Sequence, residues 1–140
     1  MVNETESGAR KTIVLCDDND EILEIYGLLL EKKGYKVGRA QSGAELLPML
    51  KELRPDLLIM DIQMPEKDGF DVLEEMRALG LTLPVFFMTA HDHFMYRRVA
   101  PMSGVAEYLI KPLDPDTLYQ KIDSVLHTKS NAQPAGDSGV

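Results

Sequence analysis

Residues 56–69 have the sequence DLLIMDIQMPEKDG, in which a single aspartate, Asp61, directly follows a short apolar run. The run at 56–60 predicts a strand, and because it is apolar at nearly every position, the strand should be buried on both faces of a sheet. A polar segment follows, and Gly69 precedes a helix predicted at 70–79. This stretch therefore predicts one strand–helix unit with a carboxylate at the end of the strand.

The same alternation of strand and helix continues on both sides of this unit. Short apolar or β-branched runs predict five strands, at residues 12–16, 35–40, 56–60, 84–88 and 106–110. Helical spacing and capping residues predict five helices, at residues 21–33, 44–53, 70–79, 93–100 and 115–126. Five such units predict an α/β, flavodoxin-like fold with a single doubly wound parallel sheet in the strand order 2-1-3-4-5.

Two prolines and two polar ends interrupt this pattern. Pro48 should distort the second helix, and Pro101 should shorten or kink the fourth, because proline cannot donate the helical hydrogen bond. Residues 1–11 and 128–140 lack apolar periodicity and cannot bury enough surface to offset the entropy of ordering. We therefore expect a disordered N-terminal tail, a single domain at 12–127, and a flexible C-terminal tail or linker.

Composition excludes several classes of protein. Among 140 residues, 15 are Lys or Arg and 23 are Asp or Glu, and the resulting net charge of −8 argues against direct binding to nucleic acid or an anionic membrane. A single cysteine, Cys16, excludes an internal disulfide and is predicted to be a buried small apolar residue with an unreactive thiol. The chain has no long apolar segment and a polar N-terminus, so we expect a cytoplasmic protein without a membrane span or signal peptide.

Polar residues that could take part in binding or catalysis follow four of the five predicted strands. In a parallel sheet the carboxyl ends of the strands share one edge, and the residues at that edge here are Asp17, Asp18, Asp61, Thr89 and Lys111. The order 2-1-3-4-5 makes the first and third strands neighbours, so three carboxylates converge. Because like charges so close together repel strongly, a cation is expected between them, and oxygen ligands favour Mg²⁺ or Mn²⁺.

This residue set also predicts a site for a phosphoryl group. A metal ion and Lys111 would neutralise the phosphoryl oxygens, the hydroxyl of Thr89 would donate a hydrogen bond, and a carboxylate oxygen would attack phosphorus in line. Asp61 stands alone at its strand end, whereas Asp17 and Asp18 form a pair suited to holding the cation. Asp61 is therefore the predicted acceptor.

Four segments, each at a strand end, resemble the receiver domain of two-component response regulators. They are VLCDDND at 14–20, LLIMDIQMPEKDG at 57–69, MTA at 88–90 and YLIKP at 108–112. Any one of these segments is common, but all four in this order are a specific signal, and the resemblance extends over about residues 13–126. It implies that Asp61 is the phosphoacceptor and that Asp17, Asp18 and the backbone carbonyl of Gln63 join Asp61 in binding Mg²⁺.

The resemblance also implies how such a site would act as a switch. Thr89 would be the switch hydroxyl, Tyr108 the switch aromatic residue and Lys111 the phosphate-binding lysine, with a cis Lys111–Pro112 peptide bond. Gln63 and His91, two positions after the acceptor and after the switch hydroxyl, would tune dephosphorylation. The domain would catalyse its own phosphorylation and slow dephosphorylation rather than act as an enzyme on an external substrate.

The resemblance further implies the kinds of partner. The phosphoryl donor would be a histidine kinase or a histidine phosphotransfer protein. Output would pass through the surface of the fourth helix, fifth strand and fifth helix to another domain, a target or a second copy. On that surface, Tyr96, Arg97 and Arg98 form a candidate contact face in an otherwise acidic chain, unless the arginines are simply solvated.

Two other functions remain open from the residues alone. The first is a Mg²⁺-dependent phosphohydrolase that passes through an aspartyl phosphate. Such enzymes commonly carry a general acid two residues after the nucleophile, where this chain has Gln63, which cannot transfer a proton. The second is a flavodoxin-like cofactor binder, which needs a Ser/Thr/Gly-rich loop after the first strand, where this chain is acidic at 17–20.

Overall fold

Strands and helices alternate along the part of the chain that the structure, a computed structural model, describes: residues 10–90 and 105–127. The elements in chain order are β1 Thr12–Cys16, α1 Asp20–Lys32, β2 Lys36–Ala40, α2 Gly43–Leu53, β3 Leu57–Asp61, α3 Gly69–Ala78, β4 Val85–Thr89, β5 Glu107–Ile110 and α4 Pro115–Leu126. The helix predicted at 93–100 lies outside the described residues, which contain four helices rather than the five expected for the whole chain. Pro101 and the tails at 1–9 and 128–140 also lie outside them.

The five strands form one parallel sheet in the order β2-β1-β3-β4-β5, as predicted. In the centre, Cys16 at the end of β1 is paired with Met60 of β3. The residues that come next, Asp17 and Asp61, therefore lie side by side at the carboxyl edge. At the other side of the sheet, Thr89 of β4 is paired with Ile110 of β5, which brings Lys111 to the same edge.

Apolar side chains alternate between the two faces of the sheet and build two cores. On one face, Met60 and Phe87 pack with residues of α2 and α3, such as Leu46 and Val72. On the other face, strand residues such as Ile59 pack with α1 and α4, whose buried residues include Leu23, Tyr26, Leu118 and Ile122. Strands β3 and β4 are buried along their whole length, as expected for parallel strands covered on both faces.

Side-chain caps fix where the helices begin near the carboxyl edge. Asn19 accepts hydrogen bonds from the backbone N–H groups of Glu21 and Ile22 and so starts α1 directly after the acidic pair. Asp68 and Asp71 form a capping box at α3. Asp114 caps α4, with Pro115 at its first position. The loops that precede α1, α3 and α4 thus lead into helices with fixed starts.

The ends of the described strands and helices all lie within one residue of the predicted ends. The third strand ends at Asp61, one residue after the apolar run at 56–60, so this carboxylate is part of the sheet itself. Helix α2 runs through Pro48 to Leu53, as predicted, although proline removes the bond to the carbonyl four residues earlier, at Ala44. Within the described residues, no helix has the length and apolar character needed to cross a bilayer.

Candidate functional site

Three carboxylates meet at the carboxyl edge of the sheet. Asp17 follows β1, Asp18 comes next, and Asp61 ends β3; one oxygen of each lies within 4.8 Å of the other two. Asp17 and Asp61 are buried, whereas Asp18 is exposed. The cluster that the sequence predicts is therefore present, and it is open to solvent on the side of Asp18.

The two buried carboxylates are held by the loops on which they lie. Oδ1 of Asp17 accepts a hydrogen bond of 2.9 Å from the backbone N–H of Asn19, and Oδ1 of Asp61 accepts one of 3.3 Å from that of Gln63. The N–H of Asp17 donates in turn to the carbonyl of Ala40 on β2 at 3.1 Å. In each carboxylate, this leaves Oδ2 for a partner from elsewhere in the fold.

That partner is Lys111, from the loop after β5. Its Nζ lies 2.8 Å from Oδ2 of Asp17 and 3.4 Å from Oδ2 of Asp61. The backbone N–H of Lys111 donates to the carbonyl of Thr89 at 2.8 Å, and the Lys111–Pro112 peptide bond is cis, as expected. The ammonium group of Lys111, which follows β5, thus contacts the carboxylates at the ends of both β1 and β3.

The charges of the site shift the pKa of both Asp61 and Lys111. Burial raises the pKa of Asp61, and the neighbouring charge of Asp17 raises it further, against the opposing effects of Lys111 and the Gln63 N–H. Burial alone would lower the pKa of Lys111, but its contacts with Asp17 and Asp61 outweigh that effect and raise it. With three carboxylates and one ammonium group, the ionised site carries an excess of negative charge.

A divalent cation fits this arrangement. The excess negative charge is concentrated on carboxylate oxygens, two of them on buried groups, and hard cations such as Mg²⁺ prefer oxygen ligands. Asp17, Asp18 and Asp61 are the residues that would hold it. That the backbone carbonyl of Gln63 is a further metal ligand stays a prediction. The backbone N–H of Gln63 donates to Asp61.

Thr89 and Tyr108 lie on one face of the sheet. Thr89 is buried at the end of β4, and strand alternation puts it on the same face as Phe87. The ring of Tyr108 packs edge-on against Phe87, with centroids 5.7 Å apart, and Phe87 makes a similar contact with Phe70 at 5.1 Å. The aromatic ring is therefore directed inward, on the side of the sheet that Thr89 shares.

Of the remaining residues predicted for the site, the structure describes Gln63 but not His91. Gln63 is exposed, directly beyond the end of β3. His91 and the face of Tyr96, Arg97 and Arg98 lie outside the described residues. Cys16 is buried as predicted, with Sγ 3.6 Å from Sδ of Met64, and burial followed by the charges of the nearby acidic residues raises the pKa of its thiol to about 12.

Sequence reasoning missed the part that Gly69 plays at this site. Its N–H donates to the carbonyl of Ile62 at 2.7 Å, and a Cβ added to it would lie 2.8 Å from the ring of Phe87 and 3.2 Å from the carbonyl oxygen of Asp61. Only glycine lets the start of α3 approach the end of β3 so closely. The Asp-Gly pair just before the predicted helix is the signal that could have indicated this.

Comparison with known families identifies this constellation. A family model described as the response regulator receiver domain matches residues 13–123, which include the carboxylates and Lys111. The chain belongs to the response regulator receiver family. Receiver domains are the phosphoaccepting domains of two-component systems, and the resemblance stated from the sequence is thereby confirmed.

Curated relatives of this receiver domain are longer proteins. The transcriptional regulatory protein GlrR of Escherichia coli is 38% identical over 120 residues, which cover 86% of this chain and 27% of GlrR. The alkaline phosphatase synthesis transcriptional regulatory protein PhoP of Bacillus subtilis is 28% identical over 127 residues, covering 91% of this chain and 53% of PhoP. The receiver thus spans between about a quarter and about half of these relatives.

Solved structures match the receiver over nearly their full length. A response regulator receiver domain protein of Clostridium thermocellum is 30% identical with a TM-score of 0.78, covering 86% of this chain and 98% of that one. The chemotaxis protein CheY4 of Vibrio cholerae is 27% identical with a TM-score of 0.79, covering 84% and 100%. These similarities agree with the sheet order described above.

Proposed function

We propose that this receiver is a phosphorylation-dependent signalling switch that accepts a phosphoryl group on Asp61. The donor would be a phosphohistidine of a histidine kinase or a histidine phosphotransfer protein. The observation that supports this most is the buried carboxylate of Asp61, which is in contact with Lys111 and adjacent to two further carboxylates. A nucleophile, a fixed positive charge and a cation-binding pair are what phosphoryl transfer needs.

In the proposed step, a carboxylate oxygen of Asp61 attacks phosphorus. The P–N bond to the donor histidine breaks, its electron pair stays on the imidazole nitrogen, and that nitrogen takes up a proton from water. Lys111, now paired with Asp17 and Asp61, would contact a phosphoryl oxygen, because its Nζ already lies 3.4 Å from the acceptor carboxylate. A Mg²⁺ ion held by Asp17, Asp18 and Asp61 would offset the negative charge of the phosphoryl oxygens.

The switch would be read through Thr89 and Tyr108. A hydrogen bond from the Thr89 hydroxyl to a charged phosphoryl oxygen is worth roughly 1.5–3 kcal/mol, which shifts a two-state equilibrium about ten- to a hundredfold. Movement of Thr89 would favour one placement of the Tyr108 ring, which packs inward on Phe87 here. The change would then reach the surface of β5, α4 and the predicted helix at 93–100.

We propose that output passes through protein contact. The relatives GlrR and PhoP, which are longer than this chain, are named transcriptional regulatory proteins, in keeping with a receiver that controls another domain or a target. The face of Tyr96, Arg97 and Arg98 remains the candidate contact for a second copy or an output domain.

We further propose that the protein acts in the cytoplasm. Substitution of Gln63 or His91 should change the rate of dephosphorylation much more than the rate of phosphorylation.

The test is incubation with a small phosphodonor, followed by intact mass spectrometry. We expect one phosphoryl group per chain, a requirement for Mg²⁺, only weak labelling of Asp18→Ala, and none of Asp61→Asn. Consumption of the phosphodonor should be fast for about one equivalent per chain and slow afterwards, because further turnover waits for hydrolysis of the acyl phosphate, which releases phosphate. Metal-independent labelling of Asp61→Asn would contradict the proposal, and rapid multiple turnover would favour the Mg²⁺-dependent phosphohydrolase instead.

A further inference from the structure

The hydroxyl of Tyr26 joins two parts of the chain that are 87 residues apart in sequence. Tyr26 lies on α1 and is buried among the apolar residues between that helix and the sheet. Its hydroxyl oxygen accepts a hydrogen bond of 2.9 Å from the backbone N–H of Leu113 and donates one of 3.2 Å to the carbonyl of the same residue. One side-chain group thus satisfies both backbone polar groups of a buried residue.

Leu113 belongs to the short loop that carries Lys111. On the strand side of this loop, the N–H of Lys111 is bound to the carbonyl of Thr89. Pro112 has no N–H to donate, and the next residue, Leu113, is bound by Tyr26 at both polar groups. The backbone on either side of the lysine is therefore fixed by contacts to two different elements.

We infer that Tyr26 is a positioning residue for Lys111, acting through the backbone of the loop at 111–113. The inference rests on the proposed function, because it assigns Tyr26 to the same phosphoryl-transfer site. A lysine side chain has four rotatable bonds, so its ammonium group meets Asp17 and Asp61 reproducibly only if its backbone is held. Helix α1 begins next to the acidic pair, so through Tyr26 the helix fixes the loop of the lysine relative to those carboxylates.

Tyr26→Phe tests this inference, because it removes the hydroxyl and keeps the ring. Phosphorylation by phosphoramidate with Mg²⁺, followed by intact mass, should slow roughly three- to tenfold, because both hydrogen bonds to Leu113 are lost and only the part of that loss that displaces Lys111 affects the rate. The matched control is Tyr35→Phe, whose hydroxyl bonds to His127 away from the site, and it should stay within about twofold of wild type.

A double-mutant cycle with Lys111→Ala distinguishes positioning from a general effect on folding. If Tyr26 acts through Lys111, adding Tyr26→Phe to Lys111→Ala should change the phosphorylation rate by less than about twofold. Equal slowing in both backgrounds, or a Tyr26→Phe rate equal to that of Tyr35→Phe, would overturn the inference. Sucrose, which favours the compact state of every variant, is added to all samples if Tyr26→Phe is partly unfolded.

Urea unfolding of the same four proteins separates this inference from the proposed function. The ion pairs of Lys111 depend on the loop that Tyr26 holds. The double variant should therefore raise the unfolding equilibrium constant by less than the product of the factors for Tyr26→Phe and Lys111→Ala alone. Independent effects would overturn the positioning role even if phosphorylation is normal. If wild type is not labelled at all, the proposed function fails, whereas this cycle still decides the contact between Tyr26 and the lysine loop.

Discussion

Asp61 is buried beside another carboxylate, and its pKa reflects both facts. Burial raises that pKa, the charge of Asp17 raises it further, and Lys111 lowers it only in part. A carboxyl group whose pKa is higher in the folded than in the unfolded chain makes the fold less stable once it ionises. The loss begins as pH rises past the unfolded pKa and is complete above the folded pKa. Asp61 is therefore a source of instability in the metal-free domain at neutral pH.

Replacement of Asp61 by Asn should stabilise the metal-free domain, because the amide has the same shape without the charge. We expect the Tm at neutral pH to rise by about 3–5 °C, the shift that about 1 kcal/mol produces in a domain of this size. In acid, below the unfolded pKa, the difference should vanish. Circular dichroism melts over a pH series measure this. Asp68→Asn is the control, because Asn caps a helix as well as Asp does, and its Tm should change little.

Mg²⁺ should reverse this order of stability. A ligand that binds only the folded state stabilises it by about 2.7 kcal/mol at a hundredfold excess over its dissociation constant. Wild type should therefore gain stability with added Mg²⁺, whereas Asp61→Asn, which lacks one of the three carboxylates, should gain much less. Equal gains in the two proteins would mean that Asp61 is not part of a cation site.

Cys16 lies next to the acidic pair but should be chemically silent. Its thiol is buried, and burial with the neighbouring carboxylates raises its pKa to about 12, so little thiolate is present at neutral pH. Alkylation by iodoacetamide should be at least about a hundredfold slower in the native protein than in urea, as followed by intact mass. Because the chain has a single cysteine, the readout is unambiguous. Comparable rates in the two conditions would contradict the described burial.

At the scale of the elements, local signals predicted most of the fold. The apolar runs located all five strands to within one residue at each end, because a strand covered on both faces has few polar positions. The sequence prediction ended the apolar run at Met60 and placed Asp61 at the end of that strand. The structure includes it in β3, where it ends the strand in contact with the ammonium group of Lys111.

Helix α2 contains an exposed proline, Pro48, which should weaken the helix. Pro48 removes the N–H that would bond to the carbonyl of Ala44, and the helix persists because Leu46 and Leu50 are buried against the sheet. Pro48→Ala should therefore raise the urea midpoint by an amount corresponding to about 1–2 kcal/mol, with an unchanged m-value. Pro65→Ala, in a loop, serves as the control and should not stabilise. A lower midpoint for Pro48→Ala would show that the proline fits the helix without loss.

At the scale of the whole molecule, the site depends on strand order. Asp17 and Lys111 lie near opposite ends of the described chain, and their contact of 2.8 Å exists because β1, β3, β4 and β5 are arranged side by side with parallel directions. The sequence predicted this convergence once five strand–helix units were recognised. It did not predict that each carboxylate would use Oδ1 for its own loop and Oδ2 for the lysine, because those choices depend on side-chain geometry.

The contact between Tyr26 and Leu113 could not be predicted from sequence patterns either. Helical spacing predicted the helix that carries Tyr26, and the structure places Tyr26 among its buried residues. The bonding of its hydroxyl depends on how closely α1 approaches the loop before α4, which is set by tertiary packing and has no local signature. Residues that position a site from a distance are therefore found from coordinates, whereas residues at strand ends are found from sequence.

In the proposed switch, the carboxylate of Asp61 carries the phosphoryl group. Borohydride reduces an aspartyl phosphate to homoserine but leaves a free carboxylate unchanged, so reduction after phosphorylation with Mg²⁺ marks the acceptor permanently. Peptide mapping by mass spectrometry then locates the mark among Asp17, Asp18 and Asp61, which all lie within one cluster. We predict homoserine at position 61 alone, and none in a sample treated without phosphodonor. Homoserine at position 17 or 18, or a stable phosphate on any other residue, would contradict the account.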